Sequence, residues 1–94
     1  MRQEASEEFS DAFVWYEEQQ TGLGYRFKNA IDNKINLICR NPYHYKVSYK
    51  TYHEAFTEKF PFAIIYTVDE DSKSITVMAI FHTSRNPKKK FITI

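Results

Sequence analysis

Trp15–Phe27 reads WYEEQQTGLGYRF, and the Thr21-Gly22-Leu23-Gly24 break inside it separates two apolar stripes. Upstream, Ala5, Phe9, Ala12, Phe13 and Tyr16 recur at spacings that place them on one face of a helix, with Glu7, Glu8, Asp11 and Glu18 mostly off it. Val14 and Trp15 widen that stripe, which predicts packing on two sides. Ser6 is the expected N-cap, because acidic residues follow it in the first turn where the helix dipole favours them. The first helix is expected to end near Gln20. Downstream, Leu23, Phe27, Ala30, Ile31, Ile35 and Ile38 repeat the 3.6-residue period. That pattern stops at Arg40-Asn41-Pro42, since proline pushes the residue before it out of the helical region. Two amphipathic helices joined by a short glycine-containing link predict an antiparallel helical hairpin.

Beyond Pro42 the period changes to two. Tyr43–Tyr52 is aromatic and β-branched, with Val47, Tyr49 and Tyr45 set against Lys46, Ser48 and Lys50. Phe56–Lys59 is read as a second short strand and Phe60–Asp69 as a third, continuously apolar through Ala63-Ile64-Ile65-Tyr66. Asp69-Glu70-Asp71-Ser72 is a turn, and Ser74–His82 is a fourth strand expected to carry Ile75, Val77, Ala79 and Phe81 on one face. Helices followed by successive strands predict an α+β fold, a helical hairpin packed on one face of a small antiparallel β-sheet. At 94 residues the chain is expected to form one domain, 1–94.

Composition excludes several classes. Apolar residues make up 43% and charged residues 27%, as in ordinary globular domains. No 18-residue apolar run exists to span a membrane, and Met1–Glu4 leads into no apolar signal segment. Cys39 is the single cysteine, which excludes an internal disulfide and suits a reducing, cytoplasmic setting. His44, His53 and Cys39 lack metal-ligand spacing, so no metal is expected. Gly22 and Gly24 are the only glycines and serve the inter-helix turn, leaving no phosphate-binding loop and no expected cofactor. The formal charge of +1 hides an asymmetry. Residues 1–20 carry six carboxylates against Arg2, whereas residues 21–94 carry twelve Lys/Arg against six Asp/Glu. The basic part can meet a polyanion or an acidic partner, or simply be a solvated face.

Four segments in order, WYEEQQTGLGYRF, ICRNPY, EKFPFAIIYTVDED and AIFHTSRNP, resemble the RelE/ParE family of bacterial toxins from type II toxin–antitoxin modules, and lie closer to its ParE-like branch, the plasmid stabilisation proteins. The resemblance covers roughly Phe9–Pro87 and implies a cognate antitoxin. It also implies one of two activities: RelE-type toxins cut mRNA at the ribosome, whereas ParE-type toxins block DNA gyrase. There is one departure. The family opens with an apolar strand before the first helix, and here Met1–Glu8 is too polar for one. Either that strand is absent, through an altered or truncated start among other causes, or Phe91–Ile94 takes its place, in cis or from a neighbouring chain. An unpaired edge would also favour self-association through strand pairing.

For RNA cleavage the resemblance points to His82 for proton transfer, Arg85 for the phosphorane charge and Lys59, at the end of the neighbouring strand, for a phosphate contact, with Glu54 and Glu58 as possible bases. Against it, Ala63 stands where the cutting members carry an arginine. For a binding toxin, His82, Arg85, Lys88, Lys89 and Lys90 form the expected target contact, a cationic rim, and Phe13, Trp15, Tyr16 and Tyr25 the expected antitoxin contact. His82 can equally serve to hold the strand end, and an inactive fold that still binds antitoxin remains a third alternative. Tyr43, Tyr45, Tyr49 and Tyr52 can stack on bases or pack within the fold.

Overall fold

The computed structural model describes residues 1–84. Arg85, Lys88–Lys90 and Phe91–Ile94 lie outside the described residues, and so do the target contact and strand replacement expected of them. Two helices come first, α1 (Gln3–Gln19) and α2 (Leu23–Arg40). Four strands follow, β1 (Val47–Tyr49), β2 (Tyr52–Phe56), β3 (Phe62–Asp69) and β4 (Ser74–His82). They pair in the order β1-β2-β3-β4, each antiparallel to its neighbour, so among the described residues β4 is an outer strand of the sheet.

The hairpin forms as its sequence predicts, with a tighter joint than spacing alone conveys. Gly22 takes φ 91°, a left-handed conformation that favours glycine. Two residues on, the Gly24 N–H donates to Glu17 Oε1 at 2.8 Å, so a side chain of α1 satisfies one of the exposed N–H groups at the start of α2. Helix α1 begins before the expected Ser6 cap. The Ser6 N–H donates to the Arg2 carbonyl, and Arg2, in extended conformation, is the residue before the helix. The earlier start carries Ala5 into the core with no exposed surface. Val14 and Trp15, expected to pack, are 52% and 56% exposed; α1 buries one face only.

Phe27 is the centre of the core. It is fully buried and lies 5.0–5.6 Å, ring to ring, from Phe9, Tyr16, Phe60 and Phe62. With it, Ile31 and Ile38 of α2 meet Ala55, Ile64, Tyr66, Val77 and Ile80 of the sheet. Ile65, Ala79 and Phe81 form a separate cluster with Tyr52 and Met78. The expected common face of Ile75, Val77, Ala79 and Phe81 is therefore broken in two. The pairing Ile65↔Ala79 is followed by Tyr66↔Val77, which leaves Met78 as an extra residue in β4. That bulge inverts the alternation, so Ile75 and Val77 join the helix-side core while Ala79 and Phe81 join the other cluster and Ile80 takes the core position.

Two strand boundaries also change. The Tyr43–Tyr52 strand shrinks to three exposed residues, Val47–Tyr49, turning back at Lys50 and Thr51. The second strand is Tyr52–Phe56, and Thr57–Pro61 is a turn closed by Thr57, whose Oγ1 donates to Phe60 O at 2.7 Å and whose N–H donates to Phe62 O at 2.9 Å. The inward positions of β2 are His53 and Ala55, which carry little of the apolar signal that marks a strand in sequence. His53 is held there by Tyr45, whose carbonyl accepts from Nδ1 at 2.8 Å, and by stacking on Tyr66.

Candidate functional site

Helix α1 runs close along β4. A cleft of about 630 Å³ opens between them. Its floor is apolar, made by Ala12, Tyr16, Phe62 and Ile80. Its α1 wall carries Glu4, Glu7, Glu8 and Asp11, and Trp15 and His82 complete the lining. The carboxylates are locally anchored. Glu4 pairs with Arg2 at 2.7 Å, Glu7 accepts from Gln3 Nε2 at 3.1 Å, and Glu8 accepts from the Ile80 backbone N–H at 3.2 Å. The Arg2 N–H donates to Val77 O at 2.9 Å, so two outward groups of β4 are satisfied from the α1 side.

His82 ends β4 beside those acids. The Ser84 N–H donates to its Nδ1 at 3.1 Å, Ser84 Oγ stands at 2.6 Å from the same atom, and the ring meets Phe62 edge-on at 5.1 Å. Accepting from Ser84 through Nδ1 places the proton of the neutral ring on Nε2. Of the expected cationic rim only His82 lies among the described residues, and it shares its cleft with four carboxylates. Spacing could have revealed this, because positions 4, 7, 8 and 11 are one helical face. What it could not reveal is that this face looks onto a strand edge.

Lys59 is elsewhere. It is not the end of a strand but part of the β2–β3 turn, at φ 69°. With Glu58 and Phe60 it lines a second groove, about 680 Å³, whose other wall is the outer face of α2 with Arg26, Asn29, Asn33 and Lys34. Ala63, in the position that would require an arginine for cutting, is fully buried. Glu54 accepts from Ser48 Oγ at 3.0 Å, and Glu58 faces the second groove. His82 and Lys59 therefore line different clefts.

The four aromatic residues expected at an antitoxin surface divide by exposure. Tyr16 is half-buried against Phe27, Phe60 and Phe62, while Phe13 is half-buried with its ring edge-on to Tyr25 at 5.0 Å. Trp15 and Tyr25 are exposed, Tyr25 at 61%. Among the tyrosines after α2, Tyr66 has a structural part: its hydroxyl donates to Pro42 O, and burial, with a smaller contribution from Tyr45, pushes its pKa up to about 12.

This arrangement of two helices followed by an antiparallel meander, with the apolar segments in the order described, coincides with a known family. A family model described as the ParE toxin of type II toxin–antitoxin system, parDE, matches residues 1–87. The chain belongs to the ParE toxin family. No curated protein matches it closely enough to count as a relative. As a ParE-family toxin it is one half of a two-protein module, so an antitoxin partner is implied. The family strand expected before the first helix has no counterpart among the described residues, since α1 starts at Gln3 and packs along β4. No helix among the described residues is long and apolar enough to cross a membrane.

Proposed function

We propose that this ParE-family toxin acts by binding its target, DNA gyrase, and is silenced by an antitoxin that covers it, rather than by cutting mRNA. The observation that carries this reading is the separation of the candidate catalytic groups. His82 lines the α1–β4 cleft among carboxylates and Lys59 lines a different groove, beside α2. A cutting site needs donors converging on one phosphorane, and loss of a single such donor costs roughly 3–4 kcal/mol of transition-state stabilisation. A buried alanine at position 63 supplies none. Gyrase as the target rests on the ParE likeness of the sequence, and cytoplasmic action follows from that target. Trp15 and Tyr25 are the exposed aromatic anchors on which an antitoxin can close.

The test is to induce the chain in bacteria and to assay the purified protein on gyrase. Filamentation with a DNA-damage response, and loss of supercoiling activity that added antitoxin restores, are the expected results. Prompt translation arrest with cleaved mRNA would overturn the reading in favour of a nuclease. Normal growth with intact supercoiling would overturn it in favour of an inactive antitoxin-binding fold.

A further inference from the structure

The groove beside α2 has the opposite charge to the α1–β4 cleft. Helix α2 presents Arg26, Asn29, Asn33 and Lys34 to it, and Lys59 reaches it from the β2–β3 turn. Arg26, Asn29, Asn33 and Lys59 are all exposed. Among the described residues, Arg26, Lys34 and Lys59 make no ion pair. Lys28, on the same helix but outside the groove, is by contrast neutralised by Asp32 at 2.7 Å. Lys34 lies over the Tyr45 ring, 5.5 Å from its centroid, a contact that positions its charge without cancelling it. Glu58 is the single carboxylate in the lining, so three cations stand against one anion. Arg26 and Lys34 are eight residues apart in sequence. At about 1.5 Å of rise per residue they are about 12 Å apart along the helix axis. A strand of duplex DNA advances about 3.4 Å per phosphate, so this line of donors matches a run of roughly three or four phosphates.

We propose that the groove beside α2 takes the phosphate backbone of duplex DNA, so that the toxin grips the DNA its target enzyme holds as well as the enzyme. This contact rests on the reading that gyrase is the target, and it adds a second partner within the same complex. Arginine, lysine and asparagine are side chains that carry backbone contacts to DNA, and such contacts need no base sequence. Two features select a duplex over other anions. A protein partner would seek aromatic anchors, and the exposed Trp15 and Tyr25 both lie outside this groove. A single strand of DNA or RNA would need an open ring on which to stack its bases. The one aromatic residue in the lining, Phe60, is half-buried, with the rings of Tyr16 and Phe27 edge-on to it at 5.1 and 5.6 Å. So few phosphate contacts hold DNA weakly, since sequence-independent binding has a Kd of about 10⁻⁴ to 10⁻⁶ M at physiological salt. Joined to a protein contact in one complex, a hold of that strength raises avidity well above either contact alone.

The test titrates the intact chain into a short fluorescein-labelled duplex and reads anisotropy between about 50 and 200 mM salt. The logarithm of affinity is expected to fall against the logarithm of salt with a slope of about −3, near −0.9 for each phosphate neutralised. Arg26→Ala, Lys34→Ala and Lys59→Ala are each expected to weaken binding several-fold and to reduce the slope by about one. Glu58→Gln removes the groove's anion and is expected to tighten binding, a gain that misfolding cannot produce. Circular dichroism establishes that each variant is folded. Slopes unchanged in the folded cation variants, or weaker binding by folded Glu58→Gln, would overturn the proposal. Binding abolished by Lys88→Gln/Lys89→Gln/Lys90→Gln and untouched by the groove variants would overturn it by moving the contact to the lysine run. Tighter binding of a single-stranded DNA or RNA probe of equal length would overturn it by changing the occupant. Inhibition of supercoiling is assayed separately. Inhibition without duplex binding defeats the groove and leaves gyrase as the target, whereas duplex binding with supercoiling intact supports the groove and defeats the gyrase reading.

Discussion

A methyl group at residue 24 would sit 2.7 Å from the Phe13 carbonyl oxygen and 2.5 Å from Glu17 Cγ, distances no Cβ tolerates. Glu17 is a flexible side chain but Phe13 O belongs to the backbone of α1, so the helices must move apart. Gly24→Ala is expected to destabilise by about 1–3 kcal/mol as an overpacked contact, read as a lower urea midpoint. Gly22→Ala meets no neighbour within 4 Å and bears only the left-handed φ, which costs about 1 kcal/mol, so it should be the milder change. Both glycines are visible in the chain as a turn, yet the different reasons for them are not, because one is conformational and the other depends on a helix seven to eleven residues away. Tyr66 makes a second prediction at this scale. Its pKa is raised from the ordinary tyrosine value to about 12, so the unfolded chain loses this proton first. The contribution to stability is full below the unfolded value and falls as pH rises through the folded one. Tyr66→Phe should lower stability at neutral pH by about 1 kcal/mol through the lost bond to Pro42 O, and flatten the decline between about pH 10 and 12 in thermal melts.

At the scale of elements, the strongest periodicities survived best. Both helices and the Ser74–His82 strand stand where their spacing puts them. The failures have local causes. His53 and Ala55 are the inward residues of β2, one polar and one small, so the strand is weakly marked and its sequence pattern points to Phe56–Lys59 where the structure has Tyr52–Phe56. Met78 is the other case. A bulge is one residue that opposes none, and nothing in ITVMAIFH distinguishes that residue from its neighbours. Its consequence is testable. Deleting Met78 makes the pairing regular while Ala79 still opposes Ile65 and Ile80 still opposes Ile64, so the deletion variant is expected to keep both clusters and unfold cooperatively. An alanine inserted after Ala79 would instead turn Ile80 out of the core and abolish cooperative unfolding, as urea melts of the two variants would show. Met78→Ala also keeps the register and should remain folded, with a modest loss from the half-buried side chain. Phe27→Ala, at the meeting point of four rings, is expected to cost about 3–5 kcal/mol, enough to leave a domain of this size largely unfolded at 37 °C.

For the whole molecule, charge is distributed in two grooves on different elements: acids along the α1–β4 cleft, and Arg26, Lys34 and Lys59 along the outer face of α2. Association through the β4 edge, expected from its unpaired groups, is opposed by its own carboxylates. Self-association through that edge should therefore be weakest at low salt and strengthen when salt screens the acids; sedimentation across a salt series checks the direction.

The helical hairpin, the meander and the family were all readable in the order of the residues, because helix and strand periods and turn chemistry are local properties recorded every few positions. The site was not readable in the same way. Glu4, Glu7 and Asp11 stand more than sixty residues from His82, and only the packing of α1 along β4 turns a solvated acidic stripe into one wall of a cleft. The same packing gives His82 and Lys59 different surroundings, since a turn and a strand end that are neighbours in the meander line different grooves, one beside α1 and one beside α2. Periodicity states which face of a helix is wet; it does not state what that wet face is looking at.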